Sequence, residues 1–187
     1  MRADAKENYN HLLTVARDVV TEHGANASLR DIARRAEVSH VTLLRHFPTR
    51  EALLDALLQK GLEGLTVKAG ELELSTSPGN ALLYWLRNAV GFVQVYSGVV
   101  TMMATALANP GSALHASCDN LRKAGERLLK SAQAEGTARA DMEGSDLFAL
   151  IGALGWIGDQ DSFKPRAEYL LDVIANAILI GRSREFH

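Results

Sequence analysis

The chain has a single cysteine, Cys118, among 187 residues, so no disulfide framework can form, and no Cys/His spacing resembles a zinc knuckle. It has only four prolines and neither a Gly-x-Gly-x-x-Gly nor a Gly-x-x-x-x-Gly-Lys motif, which argues against a nucleotide-binding α/β fold. Alternating apolar/polar runs, internal repeats and low-complexity tracts are absent. Met1-Arg2-Ala3-Asp4-Ala5-Lys6-Glu7 holds no apolar core, so a signal peptide is not expected and a cytoplasmic location is. From Asn88 to Cys118 there is no Asp, Glu, Lys or Arg across 31 residues. Gln94, Ser97, Thr101, Thr105 and the Asn109-Pro110-Gly111 turn interrupt that stretch, so it predicts helices buried in a bundle rather than a membrane span.

What is present is ordinary in bulk: 47 % hydrophobic residues, 22 % charged, net charge −2. That composition suits a folded globular chain and excludes a polycation that coats nucleic acid. The distribution of charge is more informative. Residues 28–50 carry Arg30, Arg34, Arg35, Arg45 and Arg50 against Asp31 and Glu37, a local excess of +3 on an otherwise acidic chain. A small basic patch of this kind fits a local nucleic-acid contact.

Apolar spacing is helical almost throughout, predicting an all-α fold of about nine helices. Tyr9, Leu12, Leu13, Ala16, Val19 and Val20 share one face of a helix from about Asp4 to His23. Ser28-Leu29-Arg30-Asp31 reads as a capping box, with the Ser28 hydroxyl accepting from the Asp31 amide. Ser39 caps a helix through Phe47, which Pro48 ends, and Thr49 caps a fourth helix to about Ala69. Residues 70–77 are expected to be a loop. Pro78 opens a long helix to about Tyr96, Ser112 starts another running to Gly136, and helices from Ser145 to Gly158 and from Pro165 to about Arg182 complete the set. The expected domains are residues 1–50 and 51–187, with the fourth helix linking them.

Ser28 to Phe47 fits a helix-turn-helix. Ile32, Ala33 and Ala36 pack the first helix, Glu37-Val38-Ser39 makes the turn, and Leu43 and Phe47 hold the second helix down by an i, i+4 pair. His40, Val41, Thr42, Arg45 and His46 are left outward or flanking. Such a helix can enter the major groove by its N-terminal end. From spacing alone, two amphipathic bundle helices with a solvated charged face fit as well.

The stretch from Ser28 to Leu54 closely resembles the DNA-binding domain of TetR-family transcriptional regulators. It shares an Ile-Ala pair (Ile32-Ala33), a Val-Ser turn (Val38-Ser39), a Thr-Leu step (Thr42-Leu43), a closing Phe47 and an Arg-Glu-Ala-Leu entry (Arg50 to Leu53). The resemblance covers about residues 8–60, one third of the chain. It implies a sequence-specific regulator, by family default a ligand-released repressor, with an operator in double-stranded DNA, and neither an enzyme nor a cofactor-dependent protein. It also implies roles for single residues: Arg30, His40 and Val41 fall at base-reading positions, and Thr42, His46 and Arg50 at phosphate-contacting ones. Ser28, Ser39 and Arg45 complete the candidate DNA-facing set. Three departures stand out. Leu44 replaces a tyrosine whose hydroxyl commonly reaches phosphate, a loss that Arg45 can offset. Val41 replaces a small residue or proline and offers apolar contact to a thymine methyl. Glu37 replaces a turn glycine, with strain of about 1 kcal/mol if the position needs positive φ.

Elsewhere the signals are weaker. His115 and Cys118, three apart on one face, lack further metal ligands, so no metal site is expected and Cys118 reads as core. Trp85, Asn88 and Phe92 recur on one helix face and fit either core packing or a cavity wall. With Tyr96, Met102, Met103, His115 and Arg122 they form the candidate effector site, for a small hydrophobic or weakly anionic molecule. Leu147, Leu150, Ile151, Leu154 and Ile157, with Gly152, Gly155 and Gly158, and Leu170, Val173, Ile174, Ala177, Ile178 and Gly181 exceed what one small core needs. They predict a homodimer through helices about 145–158 and 165–182, placing two recognition helices roughly 34–36 Å apart or somewhat more. A helical adaptor that binds only protein, and an enzyme, are the competing functional classes; no Ser/His/Asp or paired-carboxylate arrangement supports the latter.

Overall fold

The computed structural model describes residues 2–23, 27–96, 103, 105, 108–112 and 114–180, with 2–5 as backbone only. Among them are eight α-helices: α1 (Arg2–His23), α2 (Leu29–Arg35), α3 (His40–His46), α4 (Arg50–Ser75), α5 (Pro78–Val95), α6 (His115–Ala134), α7 (Gly144–Asp159) and α8 (Ala167–Ile178). The fold is all-α, close to the helix count the periodicity predicts.

The α1 face expected from spacing is the one that packs: Leu12, Leu13, Ala16, Val19 and Val20 are buried, and α1 contacts α2 and α4. The fourth helix runs six residues past its expected end. Leu65, Ala69 and Leu72 continue one buried stripe toward its close at Ser75, and Lys68 pairs with Glu71 one turn on at 3.0 Å. The loop expected over 70–77 therefore shrinks to Thr76-Ser77. Burial of Leu72 outweighs the low helix propensity of Gly70.

Helix α5 occupies the centre of the C-terminal bundle, against α4, α6 and α7. Ala81, Leu82, Leu83, Trp85, Leu86, Ala89, Val90 and Val93 are all buried along it. Such a helix must be apolar on most sides, which accounts for part of the uncharged stretch. Ser112 does not start α6; it forms a turn with Asn109, and its hydroxyl accepts from the Leu114 amide at 3.3 Å, so the helix begins at His115. Gly136, at φ +73, takes the left-handed conformation just past the end of α6. Helix α7 is capped reciprocally by Glu143 and Asp146.

The last helix is shorter than the span expected from Pro165 to Arg182. Lys164–Arg166 forms a 3₁₀ turn, α8 ends at Ile178, and residues 181 and 182 lie outside the described residues. Leu179 is extended and pairs antiparallel with Ala138, through Arg139 N–H to Ile178 O and Ile180 N–H to Thr137 O, both 2.9 Å. These tertiary bonds replace the helical ones that would otherwise carry α8 onward.

Candidate nucleic-acid interface

Helix α2 begins at Ser28, whose hydroxyl accepts from the Arg30 amide at 3.2 Å rather than from Asp31 as the capping-box pattern suggests. The Asp31 carboxylate turns to Arg34 instead, at 2.9 Å. A guanidinium one turn away competes well with a backbone amide for that oxygen. After Ala36 the chain reverses at Glu37, the one non-glycine described residue at positive φ, 55°. The departure from glycine at this turn therefore falls where an L side chain is strained. Val38 N–H closes the turn onto Ala33 O at 3.0 Å, and its side chain packs at the edge of the core.

Helix α3 is capped by Ser39, which accepts from the Thr42 amide at 3.0 Å and shares a 2.8 Å hydrogen bond with the Thr42 hydroxyl. Leu43 and Phe47 are 0 % and 2 % exposed and fix its inner side. The Tyr9 ring lies 5.1 Å from Phe47 and 6.2 Å from His46, so α1 buttresses the C-terminal end of α3. The spacing of Tyr9 on α1 reveals its place on an apolar face, but nothing in the sequence pairs it with α3. On the outer side Val41 is 75 % exposed and Arg45 is exposed, while His40, Thr42, Leu44 and His46 are half-buried. Thr49 caps α4 through the Ala52 amide at 3.1 Å, placing Arg50 at the start of that helix. Backbone and Thr49 hydrogen bonds at this N-terminus hold the Glu51 carboxyl below its usual range.

The arginines of the patch divide into two groups. Arg34 pairs with Asp31, and Arg35 pairs with Glu22 of α1 at 2.6 Å. Arg30 and Arg45 make no ion pair among the described residues. The net positive charge left outward thus belongs to side chains in the set expected to face DNA.

The residues expected around an effector are not gathered in one cavity. Trp85 is buried, with its indole N–H donating to Leu65 O at 3.0 Å. Tyr96 and Met103 are buried, and desolvation pushes the Tyr96 hydroxyl up. Met102 lies outside the described residues. His115 is half-buried at the start of α6, and Arg122 pairs with Asp119 at 2.9 Å and Glu126 at 3.6 Å. Asn88 and Phe92 do come together, in an open groove of about 640 Å³ between α4 and α5 that Gly61, Gly64, Leu65 and Lys68 also line.

On α7 and α8 the structure separates core from surface. Leu147, Ile151, Leu154, Leu171, Ala175 and Ile178 face inward. Gly158 lies against Gln94 of α5, where a Cβ would come within 2.6 Å of Cγ. Outward lie Ala149, Ala153 and Trp156 on α7, and Tyr169, Val173 and Ala177 on α8. No helix among the described residues is long and apolar enough to cross a membrane.

Two family models match the chain. Bacterial regulatory proteins of the tetR family match over residues 12–57, and the C-terminal domain of SbtR-like transcriptional regulators over residues 77–178. No curated protein matches. A TetR transcriptional regulator from Streptomyces coelicolor is similar in structure, with TM-score 0.71, 29 % identity, and coverage of 91 % of this chain and 98 % of that one. A TetR transcription regulatory protein from Mycobacterium vanbaalenii is similar at TM-score 0.65 and 30 % identity, covering 96 % and 99 %. A ketosteroid regulator of Mycobacterium tuberculosis shares the fold at TM-score 0.56 and 19 % identity, covering 92 % and 95 %.

Proposed function

Because the chain belongs to the TetR family and is a DNA-binding transcriptional regulator, we propose that it is a dimeric repressor, released from its operator by a small molecule. The observation that carries the DNA-reading face is the division of the arginines. Arg30, Val41 and Arg45 stand outward, whereas Arg34 and Arg35 are neutralised by Asp31 and Glu22. In this reading Arg30, His40 and Val41 meet base edges; Thr42, His46, Arg50 and Arg45 meet phosphates; and Ser28 and Ser39 orient the two helix starts. Residues 1–50 form the DNA-binding domain and 51–187 the dimerisation and effector domain, acting in the cytoplasm.

Two copies join through α7 and α8. The exposed Trp156, Tyr169 and Val173 support this, since a two-fold pairing of the helices removes them from water. The effector is hydrophobic or weakly anionic and lies along α4 and α5 at Asn88 and Phe92. The groove there supports it, with Leu65, Phe92 and Val95 as apolar wall and Lys68 and Arg87 at its margin. Helix α4 is continuous from Arg50 to Ser75, so it bears on both the helix-turn-helix and this groove. A ligand that prefers a different α4 setting shifts the spacing of the two recognition helices; one with equal affinity for both settings shifts nothing.

Electrophoretic mobility shift with the promoter beside the protein's own gene, followed by footprinting, tests the reading. Protection of two related half-sites about one or more DNA turns apart is expected, lost on adding an effector found by thermal-shift screening. Absence of any sequence-dependent protection overturns it.

A further inference from the structure

Among the described residues one buried side-chain polar atom lacks a hydrogen-bond partner, and it is Nδ1 of His40. Such atoms are rare in native folds, and each calls for a reason. His40 is the first residue of α3 and is half-buried as a whole. Its other ring nitrogen, Nε2, also makes no hydrogen bond to the protein, yet it is not among the buried atoms, so solvent reaches it. The ring is therefore turned with one nitrogen in and the other out. No DNA atom can touch Nδ1 unless the ring rotates.

This orientation selects a tautomer. An N–H buried without an acceptor is the rarer kind of orphan, and desolvating it is costly, so in the neutral ring the proton belongs on Nε2. His40 then presents a donor at the N-terminal end of α3. The neighbouring Ser39 and Thr42 hydroxyls are engaged with one another at 2.8 Å, and Val41 has no polar atom. In the major groove the acceptors are N7 of both purines, O6 beside it in guanine and O4 of thymine, whereas cytosine shows a donor; N7 is the acceptor that adenine and guanine share, so one donor meets it at either purine.

We propose that His40 reads a purine N7 through Nε2–H. The proposal rests on α3 being the base-reading helix. The test uses a duplex that the wild-type protein selects from a random pool, with each half-site purine replaced in turn by its 7-deaza analogue. One replacement per half-site is expected to weaken wild-type binding about tenfold. A glutamine places its amide nitrogen near the Nε2 position and an asparagine near Nδ1. His40→Gln should therefore keep sensitivity to that replacement, while His40→Asn and His40→Ala lose it, with melting temperatures showing that all three remain folded. If His40→Asn keeps the sensitivity and His40→Gln loses it, the inward nitrogen is the reader and the proposal falls. It also falls if no 7-deaza replacement matters, although selection of a defined sequence would leave the regulator reading intact. Failure of the wild type to select any sequence overturns both.

Discussion

The Trp85 indole of α5 lies directly over Gly125 of α6, so close that a Cβ on Gly125 would come within 2.5 Å of Cη2. The same indole is pinned at its other end, donating to Leu65 O of α4. One side chain thus ties three helices together, and it can do so only because α6 has no side chain at that point. Gly125→Ala should destabilise the fold by about 1–3 kcal/mol through overpacking, despite the better helix propensity of alanine. Chemical denaturation measures this, and an unchanged midpoint would show that the indole can yield.

The division of the arginines predicts a graded response in DNA binding. Arg30→Ala should relax discrimination between operator and random duplex by about 1–3 kcal/mol. Arg45→Ala and Arg50→Ala should weaken binding to all sequences and lower the slope of log affinity against log salt by about one each. Arg34→Ala, which removes a side chain already paired with Asp31, should change either quantity least. Titrations at several salt concentrations separate the three patterns.

Val41 is 75 % exposed in the free protein and apolar, so its contribution should come only against DNA. Replacing operator thymines by deoxyuridines removes one methyl at a time and nothing else. One such replacement per half-site should cost wild type about 0.8 kcal/mol and cost Val41→Ala less. Equal losses in both proteins would place the methyl contact on another residue.

For Cys118, burial raises the thiol from an ordinary 9.0 to about 11. The thiol form is thereby favoured in the folded chain, and the unfolded chain loses this proton at lower pH. The contribution to stability is complete below pH 9.0 and declines as pH rises toward 11, where the folded thiol also ionises. Cys118→Ala should flatten that part of the stability–pH curve. At pH 8 a thiol reagent should label the native protein slowly and the denatured protein at once.

Trp156 and Val173 are 53 % and 44 % exposed on α7 and α8. Val173→Glu should place two like charges near the proposed two-fold axis and shift the protein to monomer in sedimentation at low micromolar concentration. Operator binding should fall with it, because one half-site holds fewer contacts. A wild-type chain that sediments only as monomer would remove α7 and α8 as the interface.

Much of the interface is legible from local chemistry. Ser39, Thr42 and Thr49 make their capping contacts within three residues along the chain, and Leu43 and Phe47 lie four apart, so spacing alone predicts these caps and the inner face of α3, though not the Tyr9 ring that packs on Phe47. Glu37 stands out only through the family resemblance, as a residue where a turn glycine is usual, and its φ of 55° is positive. The orphaned Nδ1 of His40 is not legible, because the direction of an imidazole depends on what surrounds it.

The residues expected around an effector show the same divide. Helical spacing places Trp85, Asn88 and Phe92 on adjacent turns, yet Trp85 is drawn inward by Leu65 and Gly125 while Asn88 stays at the surface, donating to Tyr84 O. Helix α8 stops at Ile178 because Thr137 and Arg139, some forty residues earlier, take its backbone hydrogen bonds. The amino-acid order by itself determined the all-α class and the Ser39 and Thr49 caps, which depend on contacts within one turn, while the helix-turn-helix rested on the family resemblance as well as on spacing. Only the tertiary structure decided which arginines remain unpaired, where α4 and α8 end, and which face of α7 and α8 stays apolar and open. The Arg34–Asp31 pair is local, but the Arg35–Glu22 pair, the end of α8 and the packing of α7 and α8 depend on partners distant in sequence, whose approach no local period encodes.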